Sequence, residues 1–292
     1  MILRTTGLAK RYGRHVALDA VDLAVPRGAV YGLVGPNGAG KTTLLAILAG
    51  LRRPTTGTVH CELPRQRVAL LPDTPQFDPW LTGREVVALA RNLVAGKESG
   101  PRIDDALHAA GLAEAADRRV GGYSRGMLQR LGIAATVVGD PELLLLDEPV
   151  SALDPAGRRE VLDLVLRLRA QATTVLSSHI LADVQEVCDT VGILRAGRLL
   201  YQGPLDNLLV GRAVPAYRVR LRESVEPVAE HLRREEWVTG VDQEGHALRV
   251  GVRSLAEAEL RLPQALAAAD ARVVSFEPLA ADLESVFLEL TS

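Results

Sequence analysis

The stretch GPNGAGKTT, residues 35–43, places three glycines, one lysine and two threonines in nine residues, directly after an apolar segment at residues 29–34. Glycine lets successive backbone N–H groups surround phosphate oxygens at close range. Lys41 adds a positive charge for the β- and γ-phosphates, and Thr42 adds a hydroxyl for Mg²⁺. A strand before the loop and a helix from Lys41, whose positive end faces the same point, complete the pattern of a phosphate-binding loop.

A tight structural turn is the alternative explanation of this loop. The pattern G-x-x-x-x-G-K-[ST] arises by chance in about one chain of this length in a hundred. Lysine is also rare in this chain, at positions 10, 41 and 97 alone. A lysine fixed inside the glycine loop therefore favours a nucleotide site over a turn.

A second motif ends in two carboxylates. Residues 143–146 are four leucines, which commit a strand to the interior of a sheet. Asp147 then emerges at the carboxyl end of this strand, where ligands bind in open α/β sheets. One carboxylate can hold a hydrated metal ion, and Glu148, which points differently, can polarise a water molecule. An acidic turn after a strand is common by itself, but beside the glycine loop the catalytic interpretation is favoured.

Two further residues carry little information alone. Ser124 precedes a helix and is a good N-cap. His179 follows a predicted strand at residues 174–177. On these residues alone, a helix cap and a core or turn histidine are the better interpretations.

Composition limits the function classes. A length of 292 residues suggests about two domains, and 47% hydrophobic residues with only 3% aromatic residues predict aliphatic cores. The formal net charge of −2 argues against a nucleic-acid partner. The chain has only two cysteines and therefore no disulfide framework. This cysteine content fits a protein of a reducing, cytosolic compartment. No signal peptide and no apolar run long enough to span a bilayer is expected.

The order of elements predicts an α/β fold. Residues 1–60 indicate short strands and turns, with residues 18–25 as one strand. Residues 82–139 are expected to be helical throughout. The first helix begins with a capping box at Thr82 and Glu85 and ends at about residue 94, before a break at residues 96–101. Residues 103–110 are predicted to form a second helix, and a third is predicted from Ser124 to about residues 139–141. Strands and helices then alternate, which implies a parallel sheet with crossover helices.

A domain boundary is predicted near residues 211–216. The resulting domains are residues 1–212 and residues 213–292. In the second domain the predicted order is βαββαβ, the ferredoxin-like arrangement of an α+β domain. Its predicted strands are residues 217–221, 238–241, 247–252 and 272–276, and its predicted helices are residues 225–234 and 255–268.

Taken together, the motifs resemble those of the ATP-binding subunit of ABC transporters, over residues 2 to about 210. Residues 35–42 resemble the Walker A motif, and residues 143–148 resemble the Walker B motif with its following glutamate. Residues 123–130 are similar to the family signature LSGGQ-x-QR. The resemblance implies a P-loop NTPase (RecA-like) fold: a parallel core sheet, an antiparallel β subdomain and an α-helical subdomain at about residues 82–139.

The D-loop, the H-loop and the base-stacking aromatic residue of the family are also matched. The D-loop corresponds to residues 151–155, the H-loop to residues 178–179, and the aromatic residue to Tyr12. The resemblance implies ATP and Mg²⁺ as cofactors and three groups of site residues. Glu148 and His179 are catalytic; Thr42, Asp147 and Asp73 hold the metal; and the nucleotide contacts are Tyr12, Gly35, Pro36, Asn37, Gly38, Ala39, Gly40, Lys41, Thr42, Thr43, Ser124, Arg125, Gly126 and Asp154.

Two positions depart from the family pattern. Arg125 stands where the signature has its first glycine, and it can reach the γ-phosphate, reach a partner carboxylate or point to solvent. Asp73 stands where the family has the Q-loop glutamine, and aspartate accepts hydrogen bonds but donates none. Gln76, three residues further on, is the alternative for that role.

The resemblance also implies partners. Two copies, or two paired ATPase subunits, close head to tail with ATP between them, and integral membrane permease subunits carry the substrate. This places the chain peripherally at the cytoplasmic face of the membrane. A narrower similarity to multidrug and antibiotic-resistance exporters lies in a link at residues 203–209, expected to be helix-free, and in residues 283–291. The rival functions are a soluble ABC ATPase acting on ribosomes or DNA, and a regulatory module that binds ATP without turnover.

Overall fold

The computed structural model divides the chain into two compact units, Met1–Leu205 and Asp206–Ser292. Each unit has its own sheet system and is described by itself. The structure describes residues 1–94, 103–151, 153–210, 215–222, 224–279 and 283–291.

The first unit contains ten strands and the helices that connect them. The strands are β1 (Leu3–Tyr12), β2 (His15–Val21), β3 (Ala24–Val25), β4 (Val30–Val34), β5 (Thr56–Cys61), β6 (Val68–Leu71), β7 (Leu143–Asp147), β8 (Thr173–Ser178), β9 (Thr190–Arg195) and β10 (Arg198–Pro204). The helices are α1 (Lys41–Leu48), α2 (Gly83–Val94), α3 (Ile103–Ala109), α4 (Arg125–Val137), α5 (Pro155–Leu168) and α6 (Leu181–Val187); a further helix, α7 (Leu205–Val210), begins at the last residue of this unit.

A six-stranded sheet forms the centre of the first unit, in the order β10-β9-β4-β8-β7-β6. Strands β9, β4, β8, β7 and β6 are parallel, and β10 is antiparallel to β9. Strands β4, β7 and β8 are buried along their whole length. The apolar runs of β4 and β7 predict this burial, whereas β8 also buries four hydroxyl residues. Because these strands are parallel, the residues that follow Val34, Leu146 and Leu176 meet at one edge of the sheet.

A second, antiparallel sheet joins β2, β1, β3 and β5. The prediction of one strand over residues 18–25 is wrong, since β2 ends at Val21 and β3 begins at Ala24. The buried side chain of Thr5 explains the interruption: its hydroxyl donates to Val21 O at 2.7 Å and accepts from Leu23 N at 2.8 Å. A side chain of β1 thus replaces the backbone partners that a continuous strand would have.

Helices α2, α3 and α4 form the helical part of the first unit. The predicted capping box is confirmed, because Thr82 N donates to Glu85 Oε2 at 2.8 Å and Glu85 N donates to Thr82 Oγ1 at 3.2 Å. The prediction that residues 82–139 are helical throughout is too broad. Gly111 has a φ of 66°, and short 3₁₀ turns at Ala113–Ala115 and Val120–Gly122 follow it. The predicted interruption at residues 96–101 lies outside the described residues.

The prediction of a helix-free link at residues 203–209 is also wrong. Helix α7 begins at Leu205, and its Leu205 and Leu208 side chains are buried at a spacing of three residues. This spacing places both leucines on one face, so burial favours a helix there.

The second unit has seven principal elements. They are β11 (Ala216–Leu221), α8 (Glu226–Leu232), β12 (Val238–Glu244), β13 (Ala247–Val252), α9 (Leu255–Ala268), β14 (Val273–Leu279) and α10 (Leu283–Thr291). All pairings in its sheet are antiparallel, in the order β12-β13-β11-β14. Its core gathers Trp237 with apolar residues of the strands and of α8 and α9. The first six elements follow the predicted βαββαβ order.

Among the described residues, no helix combines the length and the apolar character that a membrane crossing requires.

Candidate functional site

The glycine loop connects β4 to α1, as predicted. Gly40 precedes α1 with a φ of 107°, and a Cβ at this position would lie 2.5 Å from Ala17 O. A Cβ on Gly35 would lie 2.3 Å from Leu194 O. Both positions therefore require glycine, because the chain passes too close for any side chain. The loop shape is thus fixed by the sheet and by the β1–β2 hairpin around it.

Lys41 begins α1, and its side chain is only 6% exposed. Its Nζ donates to Gly35 O at 2.6 Å, which holds the ammonium group against the loop. The same nitrogen lies 3.1 Å from Glu148 Oε1. A buried ammonium group needs a charged or strongly polar partner, and here a carboxylate supplies it.

Asp147 ends β7 and is buried. It accepts a hydrogen bond from Ser177 Oγ at 2.6 Å, and it lines a cavity together with Thr42. Burial is the largest influence on this carboxyl group and raises its pKa, while the hydroxyls of Ser177 and Thr42 lower it and the charges of Asp73 and Glu148 raise it. The group lies where the phosphate loop and the end of β7 come together.

Glu148 follows with a backbone φ of 47°, in the left-handed region that residues other than glycine rarely adopt. Its N–H donates to Ser177 Oγ at 3.0 Å. Its carboxylate lies between two cationic or polar groups, Lys41 on one oxygen and His179 Nδ1 at 2.7 Å on the other. Strained backbone of this kind is frequent at functional sites.

His179 is presented by a turn after β8. Ile180 N donates to Ser178 Oγ at 2.9 Å, which shapes this turn. The histidine side chain is 45% exposed, so one side of the ring is open to solvent while Nδ1 faces Glu148. The structure therefore brings Lys41, Glu148 and His179 into direct contact.

The residues around Asp147 fit a magnesium ion that is shared with phosphate groups. Within the described ranges, no cluster of three or more His, Cys, Asp or Glu side chains forms a complete metal cage. Magnesium in nucleotide sites is held by one or two carboxylates, by water and by phosphates. Asp147 and the Thr42 hydroxyl supply adjacent oxygen atoms of the required kind.

Asp73 and Gln76 lie in different surroundings. Asp73 accepts a hydrogen bond from Ser151 Oγ at 3.2 Å, and its charge acts on Asp147. Gln76 lines an apolar groove, together with Pro75 and Phe77. Of the two candidates for the Q-loop role, the structure places Asp73 beside the carboxylates.

Other predicted nucleotide contacts have local partners in the described chain. The hydroxyl of Tyr12, at the end of β1, accepts from Arg52 Nη1 at 3.0 Å, and Lys10 Nζ lies 5.0 Å from the ring centre. Ser124 caps α4 by accepting from Met127 N at 3.2 Å, and Arg125 and Gly126 form the first turn of this helix. Asp154 caps α5 by accepting from Gly157 N at 2.9 Å.

Ser177 is a residue of the candidate site that the sequence did not lead us to expect. The available signal was the pair of hydroxyl residues, Ser177 and Ser178, at the end of an apolar strand. In a parallel sheet such residues meet the carboxylates of the neighbouring strand, and Asp147 does pair with Ser177 in the register of β7 and β8.

Comparison with known proteins identifies the family. The family described as "ABC transporter" matches residues 18–151. The uncharacterized ABC transporter ATP-binding protein YxlF of Bacillus subtilis (strain 168) is 39% identical over 231 residues, which cover 77% of this chain and 78% of that protein. The daunorubicin/doxorubicin resistance ATP-binding protein DrrA of Streptomyces peucetius is 34% identical, over 99% of this chain and 92% of that protein.

A solved structure described as "Structure of ATP binding subunit of ABC transporter" gives the same result. Its TM-score is 0.66 at 28% identity, and the alignment covers 72% of this chain and 93% of that one. These relatives favour a role in transport over the ribosome, DNA and regulatory alternatives. With this similarity in sequence and in fold, the chain belongs to the ATP-binding proteins of ABC transporters, and it is an ATPase.

Proposed function

We propose that this chain hydrolyses Mg²⁺-ATP between two paired copies and thereby drives export through separate membrane subunits. The observation that carries the proposal is the convergence of Lys41, Glu148 and His179 at the edge of the sheet where the glycine loop begins α1. This arrangement combines a phosphate-binding cation, a carboxylate base and a hydrogen-bond donor, which phosphoryl transfer requires.

In the proposed mechanism the backbone N–H groups of residues 35–43 and the Lys41 ammonium group bind the phosphates. Phosphate oxygens compete with Glu148 for Lys41, because both are anionic partners of the same nitrogen. Glu148, once released from Lys41, accepts the proton of the attacking water. His179, already in contact with Glu148, donates a hydrogen bond to the γ-phosphate.

Asp147, Thr42 and Asp73 are the proposed metal-binding residues. Asp147 would hold the ion with a carboxylate and Thr42 with a hydroxyl, both beside the loop. Asp73, whose charge acts on Asp147, would add a second carboxylate. When bound, the ion would supply positive charge that neutralises the phosphates.

The nucleotide contacts of Ser124, Arg125, Gly126 and Asp154 are proposed to come from pairing with a second copy. The first turn of α4, with Ser124, Arg125 and Gly126, directs backbone N–H groups outward at a helix N-terminus, which favours an anion. In a head-to-tail pair this turn contacts the γ-phosphate bound by the other copy, and Asp154 lies beside it. Tyr12 stacks on the adenine base of its own nucleotide, a contact worth about 1–3 kcal/mol in related cases.

The permease is proposed to dock on an apolar groove of the first unit. This groove lies beside β6 and α4 and is lined by Leu71, Pro75, Phe77 and Val94 among others. Next to it Trp80 is 64% exposed, and on α2 Leu93 is 78% exposed. Exposed apolar surface of this kind marks a protein-interaction site. Docking there places the chain peripherally at the cytoplasmic face of the membrane.

Residues 213–292 are proposed to form a ferredoxin-like accessory domain that follows an ATPase domain of residues 1–212. The support is the βαββαβ order and the antiparallel sheet order β12-β13-β11-β14. Fold alone gives no function for such a domain.

The Glu148→Gln variant tests the proposed function. Glutamine keeps the shape of the side chain but cannot accept the proton of water, so we expect ATP binding to persist and turnover to be abolished. An ATP-bound pair should then accumulate, which size-exclusion chromatography with light scattering measures. Hydrolysis by this variant at the wild-type rate would remove Glu148 from its assigned role.

A further inference from the structure

The hydroxyl of Ser177 connects the two carboxylate residues of the site. Ser177 lies at the end of β8, is completely buried, and pairs with Asp147 in the parallel register. Its Oγ donates to Asp147 Oδ1 at 2.6 Å and accepts from Glu148 N at 3.0 Å. One hydroxyl therefore fixes the side chain of the first carboxylate and the backbone of the second.

The backbone contact is significant because Glu148 is strained. Its φ of 47° is unfavourable for a residue with a Cβ and persists only where the surroundings hold it. The N–H of this strained residue donates a hydrogen bond to Ser177 Oγ. The direction of the carboxylate towards Lys41 and His179 depends on this backbone conformation.

The neighbouring residue Thr174 shows that a buried hydroxyl on β8 is not always used in this way. Thr174 is also completely buried, yet its Oγ1 has no hydrogen-bond partner among the described residues. Ser177, in contrast, uses its hydroxyl both as donor and as acceptor. Both residues carry a buried hydroxyl on β8, and only that of Ser177 has hydrogen-bond partners among the described residues, so Thr174 serves as the comparison.

We propose that Ser177 is a positioning residue for ATP hydrolysis, which orients Asp147 and Glu148 together. The inference rests on the proposed roles of these two residues in metal binding and in water activation. The Ser177 hydroxyl contacts Asp147 and Glu148, so its effect on hydrolysis is exerted through these two residues. Displacing a catalytic group by about 1 Å can lower a rate about a hundredfold.

The test is Ser177→Ala in the full chain, with ADP affinity measured by calorimetry and hydrolysis measured by phosphate release. We expect kcat to fall by roughly tenfold to a hundredfold. The Kd for ADP should stay within about twofold of wild type, because Lys41 and the glycine loop are untouched. Ser177→Cys fills a similar volume but hydrogen-bonds weakly, so it should lose activity as the alanine variant does.

Thr174→Val is the control for removing a buried hydroxyl from the same strand. It should leave kcat and ADP affinity unchanged, since the hydroxyl it removes has no described partner. Full activity of Ser177→Ala or of Ser177→Cys would overturn the proposal. A parallel loss of kcat, ADP affinity and thermal stability would overturn it as well, by showing a purely structural role.

The Glu148→Gln and Ser177→Ala variants together distinguish failure of the proposed function from failure of the role proposed for Ser177. If Glu148→Gln hydrolysed ATP normally while Ser177→Ala did not, the base assignment would be wrong. If both variants hydrolysed ATP normally, the base assignment and the role of Ser177 would be wrong together.

Discussion

At the residue scale, the site is organised by a buried pair of opposite charges. Lys41 and Glu148 are both largely buried and lie 3.1 Å apart, with side-chain exposures of 6% and 11%. Removing one member of such a pair leaves the charge of the other buried, poorly solvated and without a partner of opposite charge. The pair therefore affects both nucleotide binding and folding, and the two effects can be measured separately.

For Lys41→Ala we predict weaker nucleotide binding together with lower stability. The phosphates lose a cation, and Glu148 loses its buried partner, at a cost on the order of 3 kcal/mol in the free energy of unfolding. Urea unfolding and ADP calorimetry measure the two effects. In Lys41→Ala/Glu148→Gln the stability should recover in part while nucleotide binding stays weak. A single variant as stable as wild type would contradict the role of the pair.

Sequence reasoning found most of the site because its motifs contain the reactive groups themselves. The glycine loop, Asp147 and Glu148 were predicted from their positions beside a strand and a helix. Ser177 was missed, since its importance arises from the register of β7 against β8, which one sequence does not specify. The surroundings of Asp73 and Gln76 could not be told apart from the sequence either, because both lie in the same loop, and the metal-binding role of Asp73 stays a prediction.

At the element scale, the side chain of Thr5 determines where β2 ends and β3 begins. Its hydroxyl serves two backbone groups, Val21 O and Leu23 N, on either side of the break between the two strands. Both contacts are buried, and buried backbone groups without partners are unfavourable. The antiparallel sheet of β1, β2, β3 and β5 therefore depends on one side-chain hydroxyl for its shape at this point.

Thr5→Val should lower the free energy of unfolding by about 2 kcal/mol, because two buried backbone groups lose their partner while the side-chain volume stays the same. Thermal or urea unfolding measures the change. Thr6→Val is the matched control, since Thr6 is the next residue of β1 and is exposed. Equal stability of the two variants would show that the hydroxyl of Thr5 is not required.

Elements with strong local signals were predicted well, and elements determined by distant contacts were not. The capping box of α2 and the leucines of β7 are local signals, and both elements were found. The break between β2 and β3 depends on a residue about twenty positions away along the chain, and α7 depends on the burial of Leu205 and Leu208. Such contacts are set by tertiary structure and override local patterns.

At the scale of the whole molecule, the proposed transport function requires surfaces that one copy does not use internally. The apolar groove beside β6 and the exposed leucines of α2 form one such surface. The first turn of α4 forms another such surface, which is proposed to contact the nucleotide of a second copy. We propose that communication between ATP hydrolysis and the membrane subunits proceeds through the loop at residues 73–80 and through α2.

Leu93→Glu should weaken association with the permease without changing ATP binding or stability. Leu93 is 78% exposed, so a charge there is tolerated in water but is unfavourable in an apolar contact. Co-purification of the membrane subunit, compared with wild type, measures the effect. Leu260→Glu is the control, as Leu260 is 73% exposed on α9 of the second unit. Equal loss in both variants would contradict docking at the groove.

The pairing of Asp147 with Ser177 across β7 and β8 limits how the enzyme can be regulated. A slip of one strand by a single residue would turn every side chain of that strand to the opposite face, and the reactive groups would no longer converge. Graded adjustment by sliding these strands is therefore ruled out. Turnover has to be controlled by the proteins that bind at this edge, a second copy or the permease. Regulation then acts on the rate at which these partners bind, since the geometry of the edge itself stays fixed.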